Sequence, residues 1–381
     1  MIDTDYRSVG RGYFDTGGLK ALGELRKERA QLFAIHKGDS TVWHHPDVQL
    51  LARAKILKEL RVALYVKGVA CGRDLFPTFK TFLSHFMRVG GVIEAQPQNI
   101  IGRPSVNMFI PPGGGSVEVK SCVDMLTDDE GLEVGSVYPM TSIPEKALCG
   151  AALAEGEQLR AQGAVGFLSV NFVAYRMEDE VDKPGGRGQR SSNADKSTAK
   201  PAKRSLRMVG NSIDMRLTNA ASTYNLVKFV CEKDGVYGAM RGRKLSSSYA
   251  TIDYLHNPSL VSVRYGAFFK LCRMQSVSFD LESLSGLMFM LFDSLSSGVL
   301  GIISVGGSCA QSLEGLVNGF RFIKESVGNS AAYNEVGVEE DYGGVGGFVK
   351  CMRSMERKAA EVAEREKMEK RKQLMKESGA A

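Results

Sequence analysis

Apolar positions change their spacing twice along this chain, and the changes mark out its expected parts. In a polar front segment, residues 1–40, Leu22, Leu25 and Leu32 recur at helical intervals and predict one amphipathic helix over 19–32 within an N-terminal arm. From 42 to 177 the pattern becomes strand-like, with runs at 61–66, 91–93, 105–109, 116–119 and 165–175 punctuated by Pro97, Pro104, Pro111, Pro112, Pro139 and Pro144. Short strands with Pro and Gly stops predict a jelly-roll or sandwich-like β-rich domain over 41–178. One stretch, 143–162, breaks that pattern with Ala- and Glu-rich helical sequence opening at Pro144, a residue favoured in a first turn.

Beyond Arg207 the spacing reads as helical. Leu226, Val227, Phe229 and Val230 predict one helix, 260–274 a second, and Leu284, Leu287, Met288, Leu291, Phe292 and Leu295 a third with a continuous apolar face and Asp280 as its cap. A helix-rich domain is therefore expected over 208–330. After the acids and glycines that open residues 331–381, a last helix is predicted from 348 to 376. Its stripe of Phe348, Met352, Met355, Ala359 and Val362 fades where Glu366 and Glu369 take the same positions, so its first half should dock and its second half be solvated. The fold class read from these patterns is α+β: a β-rich first domain, a helix-rich second domain and a charged C-terminal helix.

Composition adds a boundary. The 381 residues are 43% hydrophobic and 24% charged, enough for two packed domains. Between them, 179–207 reads as a disordered basic linker: within it, over 183–207, Lys183, Arg187, Arg190, Lys196, Lys200, Lys203, Arg204 and Arg207 face the single acid Asp195, a net +7 where the whole chain carries +6. Such a polycation suits either contact with a phosphate backbone or a solubilising tether. A second basic cluster, Arg241, Arg243 and Lys244 beside Tyr237, reads equally as a nucleic-acid contact or an exposed turn.

Little in the sequence predicts catalysis. The seven cysteines are odd in number and never paired as Cys-x-x-Cys, which suggests reduced intracellular thiols rather than a zinc site or disulfide framework. His44 and His45 are adjacent but lack partners at metal spacing, and the glycines after Pro111 and Pro112 read as a strand-to-strand turn. Neither a catalytic residue, a metal ligand nor a cofactor is predicted. The start carries no basic-then-apolar leader, so the protein is expected not to be secreted, and 284–305 is too polar for a membrane span.

Phe86 to Ile93, Gly102 to Phe109, Gly135 to Ser142 and Gly163 to Arg176 follow one another as short apolar segments, among them Val137-Tyr138-Pro139-Met140-Thr141-Ser142 and Gly166 to Val173. In this order they resemble strands of the thirty-kilodalton movement-protein superfamily of plant viruses, the last two most closely. The resemblance implies a jelly-roll-like, non-enzymatic viral protein that binds single-stranded RNA without sequence preference and acts at plasmodesmata in the host cytoplasm. Self-association and contact with host membrane or plasmodesmal proteins would follow. A coat or nucleocapsid protein assembling on genomic RNA is the alternative, with the eight basic linker residues and Arg241, Arg243 and Lys244 touching nucleic acid in either case.

Overall fold

The computed structural model describes residues 11–39, 41–71, 76–97, 99–127, 133–178, 204–231, 245–256, 258–290, 298–327 and 345–377. Packing of the backbone separates two units, Met1–Glu94 and Ala95–Ala381.

The first unit contains β1 (Arg11–Tyr13), α1 (Lys20–Ile35), α2 (Pro46–Lys67), β2 (Val69–Cys71) and α3 (Phe79–Val89), with β1 and β2 antiparallel. The helix expected near the front is α1. Its N-terminus is tied to α2, because the Glu59 carboxylate accepts from the N–H groups of Lys20 at 2.9 Å and Ala21 at 2.8 Å. Two otherwise orphaned helix donors are satisfied, and the negative charge lies at the positive end of the helix. The strand expected at 61–66 is instead the last part of α2. Pro46 at the first turn, Asp47 beside it and Lys67 in the last turn favour one long helix, and this outweighs the local β-preference of Val62, Tyr65 and Val66. Residues 91–93 form no strand either.

The second unit is built on one large antiparallel sheet. Its strands are β3 (Ile100–Gly102), β4 (Pro104–Ile110), β5 (Glu118–Thr127), β6 (Glu133–Tyr138), β7 (Gly166–Glu178), β8 (Arg204–Asp214), β9 (Ser248–His256), β10 (Phe279–Asp280), β11 (Ser285–Met290) and β12 (Val299–Gly306). The spatial order is β10-β11-β12-β9-β6-β5-β4-β7-β3, with β8 along the other edge of β7. The helices are α4 (Glu145–Ala161), α5 (Asn219–Cys231), α6 (Tyr265–Met274), α7 (Cys309–Val327) and α8 (Val345–Glu377).

This arrangement corrects the expected fold class: there is neither a jelly-roll first domain nor a helical second one. Strands from both halves of the sequence share one sheet, through the ladders of β6 with β9 and β7 with β8. The helix expected over 284–295 is strand β11 as far as Met290, and residues 291–297 lie outside the described part. Leu287 and Phe289 pack into the core on one face of the sheet, while Met288 and Met290 pack on the other. A strand buried on both faces is apolar at every position, and its sequence satisfies a helical template by accident. Asp280 closes the turn before β11 instead of capping a helix, accepting from the Glu282 and Ser283 N–H groups and from the Ser283 hydroxyl.

Alternation along the strands distributes three cores. Val106, Met108, Ile110, Leu168 and Val170 meet Leu148 and Ala152 of α4. On the same face, Leu126, Val137, Ile252 and Ile302 meet α6, α7 and the first half of α8, where Met352 and Met355 are buried as the fading stripe predicted. The opposite face packs Val123, Tyr138, Tyr249 and Ile303 against Ala220, Tyr224 and Val227 of α5. Gly135 of β6 stands opposite Ile252, and a methyl group on it would meet the Thr251 carbonyl oxygen, so the β6–β9 seam requires glycine there.

Two outcomes are expected. Gly135→Ala should lower unfolding free energy by about 1–3 kcal/mol in a denaturant melt, through forced separation of the two strands. The Glu59 carboxyl is held below its ordinary 4.5 chiefly by the Ala21 N–H and then by that of Lys20. The folded value lies below the unfolded one, so the stabilisation is present above pH 4.5 and is lost as pH falls through the folded value. Protection of the Lys20 and Ala21 amides from hydrogen exchange, taken relative to the intrinsic rate at each pH, should therefore fall on acidification below pH 4.5, and Glu59→Gln should remove that dependence.

Candidate functional site

The face of the sheet that receives α5 is apolar only over part of its width. Towards β4, β7 and β8 the residues of the same parity are Ser105, Asn107, Ser169, Asn171, Ser212 and Asp214. Four polar side chains there, Ser105, Asn107, Ser121 and Ser169, are at most 5% exposed, an unusual density of buried hydrogen-bonding groups on strands.

The burial of Asn107, Ser121 and Ser169 is compensated by a connected network. Asn107 Nδ2 donates to Ser121 Oγ at 2.9 Å, and Asn107 Oδ1 accepts from Ser169 Oγ at 2.7 Å and Thr218 Oγ1 at 3.2 Å. Thr218 precedes α5 and its hydroxyl also accepts from the Ala221 N–H at 3.3 Å, so the network ends on the N-terminus of that helix. Next along the helix, Asn219 Nδ2 donates to the buried Asp253 of β9 at 3.2 Å. Towards the sheet edge, Asn171 Nδ2 donates to Ser212 Oγ at 2.9 Å and to Asp214 Oδ2 at 2.8 Å. Asn171 and Asp214 are half-buried and Ser212 is exposed, so beside the dry set around Asn107 lies a second, separate set of hydrogen bonds that is open to solvent at Asp214.

Beside this region, Tyr138 stacks on Tyr249 at 5.6 Å and donates to the Leu245 carbonyl. Burial pushes both phenols above their ordinary range, so both rings serve as neutral packing groups. In the Val137–Ser142 segment, Asp124 accepts from the Thr141 N–H at 2.7 Å, the Ser142 N–H at 3.0 Å and the Ser142 hydroxyl, which fixes the chain where β6 leaves the sheet.

Of the residues predicted to touch nucleic acid, only Arg204 and Arg207 are among the described residues. Lys183, Arg187, Arg190, Lys196, Lys200 and Lys203 lie outside the described residues, as do Arg241, Arg243 and Lys244. Arg204 and Arg207 belong to β8, in register with Glu178 and Tyr175 of β7, which corrects the disordered linker at its last four positions. The polar face escaped the sequence reading although a signal was present. Ser105-Val106-Asn107-Met108, Ser169-Val170-Asn171-Phe172 and Ser212-Ile213-Asp214 all place polar groups on one parity of a strand.

Comparison with known proteins points away from viruses. A family model described as "IQCH-like, ATP-grasp" matches residues 1–184. The IQ motif-containing protein H of Danio rerio is 25% identical over 313 residues, covering 80% of this chain but 27% of that protein, so the chain spans about a quarter of its relative's length. Among solved structures, a carboxyaminoimidazole ribonucleotide synthase from Aspergillus clavatus complexed with ATP gives a TM-score of 0.39 at 8% identity, over 68% of this chain and 59% of that one. The phosphoribosylaminoimidazole carboxylase ATPase subunit from Aquifex aeolicus gives 0.38 at 14%, over 61% and 58%. At these scores the structural likenesses carry no weight of their own.

The sequence matches overturn the movement-protein reading and the coat-protein alternative together with what was drawn from them: single-stranded RNA and plasmodesmal partners, viral self-assembly, placement in a host cytoplasm and a non-enzymatic role. Among the described residues no helix is long and apolar enough to cross a membrane.

Replacing Asn107 by Leu, similar in size, should strand the hydroxyls of Ser121, Ser169 and Thr218 and lower stability by about 1–3 kcal/mol. Asp214→Asn at the open end should change it by less than about 0.5 kcal/mol. Urea melts of the two variants check the pair.

Proposed function

We propose that this chain is a nucleotide-binding module of the ATP-grasp kind, which takes up ATP with a divalent cation at the open end of the polar face. The observation that carries the reading is the continuous network from Asn107 through Ser169 and Thr218 to the start of α5, flanked by Asn171, Ser212 and Asp214. Mg²⁺ prefers oxygen ligands and is commonly held by one or two carboxylates together with substrate phosphates. Asp214 and the Ser212 hydroxyl are donors of that class on one strand, and Asn171 of the neighbouring strand positions both through its amide nitrogen. The first turn of α5 carries no acid, so the partial positive charge of its N-terminus is available to a phosphate.

The family description over residues 1–184 supports the choice of nucleotide, and it covers β7 with Ser169 and Asn171 but not β8 or α5. The bound cation would offset phosphate charge. The chain's own part is positional: a rigid sheet sets Asn171 against Asp214, and the closed network behind them prevents either strand from shifting.

Calorimetric titration of ATP into the full chain tests this. Binding should be Mg²⁺-dependent with Kd below about 1 mM. Asp214→Ala should weaken the Mg²⁺-dependent binding by about tenfold or more, roughly 1.4 kcal/mol. Absence of binding at millimolar ATP, or an affinity unmoved in Asp214→Ala, would refute the reading.

A further inference from the structure

On the other face of the sheet, away from the polar network, two cysteines distant in sequence come together. Cys122 of β5 is buried, Cys149 of α4 is half-exposed, and their sulfur atoms lie 3.3 Å apart. Glu145, the first residue of α4, is one helical turn before Cys149 and therefore on the same face of the helix. One ligand atom from each of Cys122, Glu145 and Cys149 falls within 4.8 Å of the other two. Burial grades from the enclosed Cys122 to the exposed Glu145, so the cluster has a closed floor and an open mouth.

Two chemistries fit a close pair of thiols, and distance separates them. A disulfide needs the sulfurs at about 2.05 Å, a closure of more than an ångström between a sheet and a helix already packed through Leu148 and Ala152. Two thiolates on a tetrahedral Zn²⁺ at about 2.3 Å each stand about 3.8 Å apart, an opening of only about half an ångström. The third group is a carboxylate, which is a zinc ligand and has no part in a disulfide. Helix α4 is held by its own polar anchor, since Glu157 accepts from the Val117 N–H at 3.1 Å and from Arg160 at 2.6 Å, so the helix keeps its place over β5 whether or not the cluster is filled.

We propose that Cys122, Cys149 and Glu145 form a binding site for a soft divalent cation of the Zn²⁺ class, with two thiolates, one carboxylate and a fourth position open to solvent. Binding forms two metal–sulfur bonds and one metal–oxygen bond, and the two thiol protons pass to solvent, so affinity rises with pH. Three protein ligands and an open position are the pattern of sites that keep a place for water or a small ligand. The site stands on different residues, and on a different face, from the nucleotide site proposed above.

The test uses the reduced, metal-stripped full chain with Co²⁺ alone as a spectroscopic probe and Zn²⁺ alone as competitor. One equivalent of Co²⁺ should produce a near-ultraviolet sulfur-to-cobalt band, with release of protons, and Zn²⁺ should displace it. Cys122→Ser and Cys149→Ala should each abolish the band, Glu145→Gln should weaken binding by more than about tenfold, and Cys272→Ser, in a separate core, should leave the band intact. Because Cys122 is in a core, Cys149→Ala and Glu145→Gln at the open side carry the decision, each checked for an unchanged thermal melt. A chain that gives no thiolate band, or a band that survives in Cys149→Ala, overturns the proposal.

Discussion

The antiparallel ladder is the constraint from which the second unit follows. β7 is paired along both edges, to β3 and β4 on one side and β8 on the other, while β6 is joined to β9 across more than a hundred residues of chain. Every buried backbone N–H and C=O in these strands must find a partner, and in a wide sheet the partners come from whichever segment can be brought alongside. Once the ladder exists, side-chain parity is fixed for all strands at once, because a slip of one residue would turn each apolar set away from its helices. The placement of α4, α6, α7 and α8 on one face and α5 on the other is a consequence.

That parity also makes the chemistry. An isolated Asn or Ser in a strand is ordinary, but Asn107 and Ser169 become a network only when β4 and β7 are neighbours in this register and Thr218 is delivered by the turn into α5, and Asn171 meets Ser212 and Asp214 only because β8 lies along the other edge of β7. Burial of so many polar groups would be costly if any lacked a partner, and the mutual saturation of Asn107, Ser121, Ser169 and Thr218 removes most of that cost. The open end, at Asp214 and Ser212, is less constrained, so it is the part where a ligand can replace existing hydrogen bonds without breaking the sheet.

The two clusters lie on opposite faces of one scaffold. Residues 122 and 123 of β5 are adjacent, yet Cys122 points towards α4 and Val123 towards α5. The thiol pair and the proposed nucleotide-binding surface therefore occupy opposite faces of the same strands without sharing a side chain.

By itself the sequence determined the elements whose signals are local. The helices α1, α4 and α8, the strands β4 and β7, the turn after Pro111 and the docking of the first half of α8 follow from periodicity and from residues such as Pro144, whose preferences act within a few positions. The tertiary structure alone decided which strands are neighbours, that Ser285 to Met290 lies in a strand and not a helix, and that Arg204 and Arg207 join a sheet. It also decided that Cys122 meets Cys149 and Asn107 meets Ser169. Pairing across long stretches of chain depends on total buried area and on hydrogen-bond saturation over the whole sheet, quantities that no window of neighbouring residues contains.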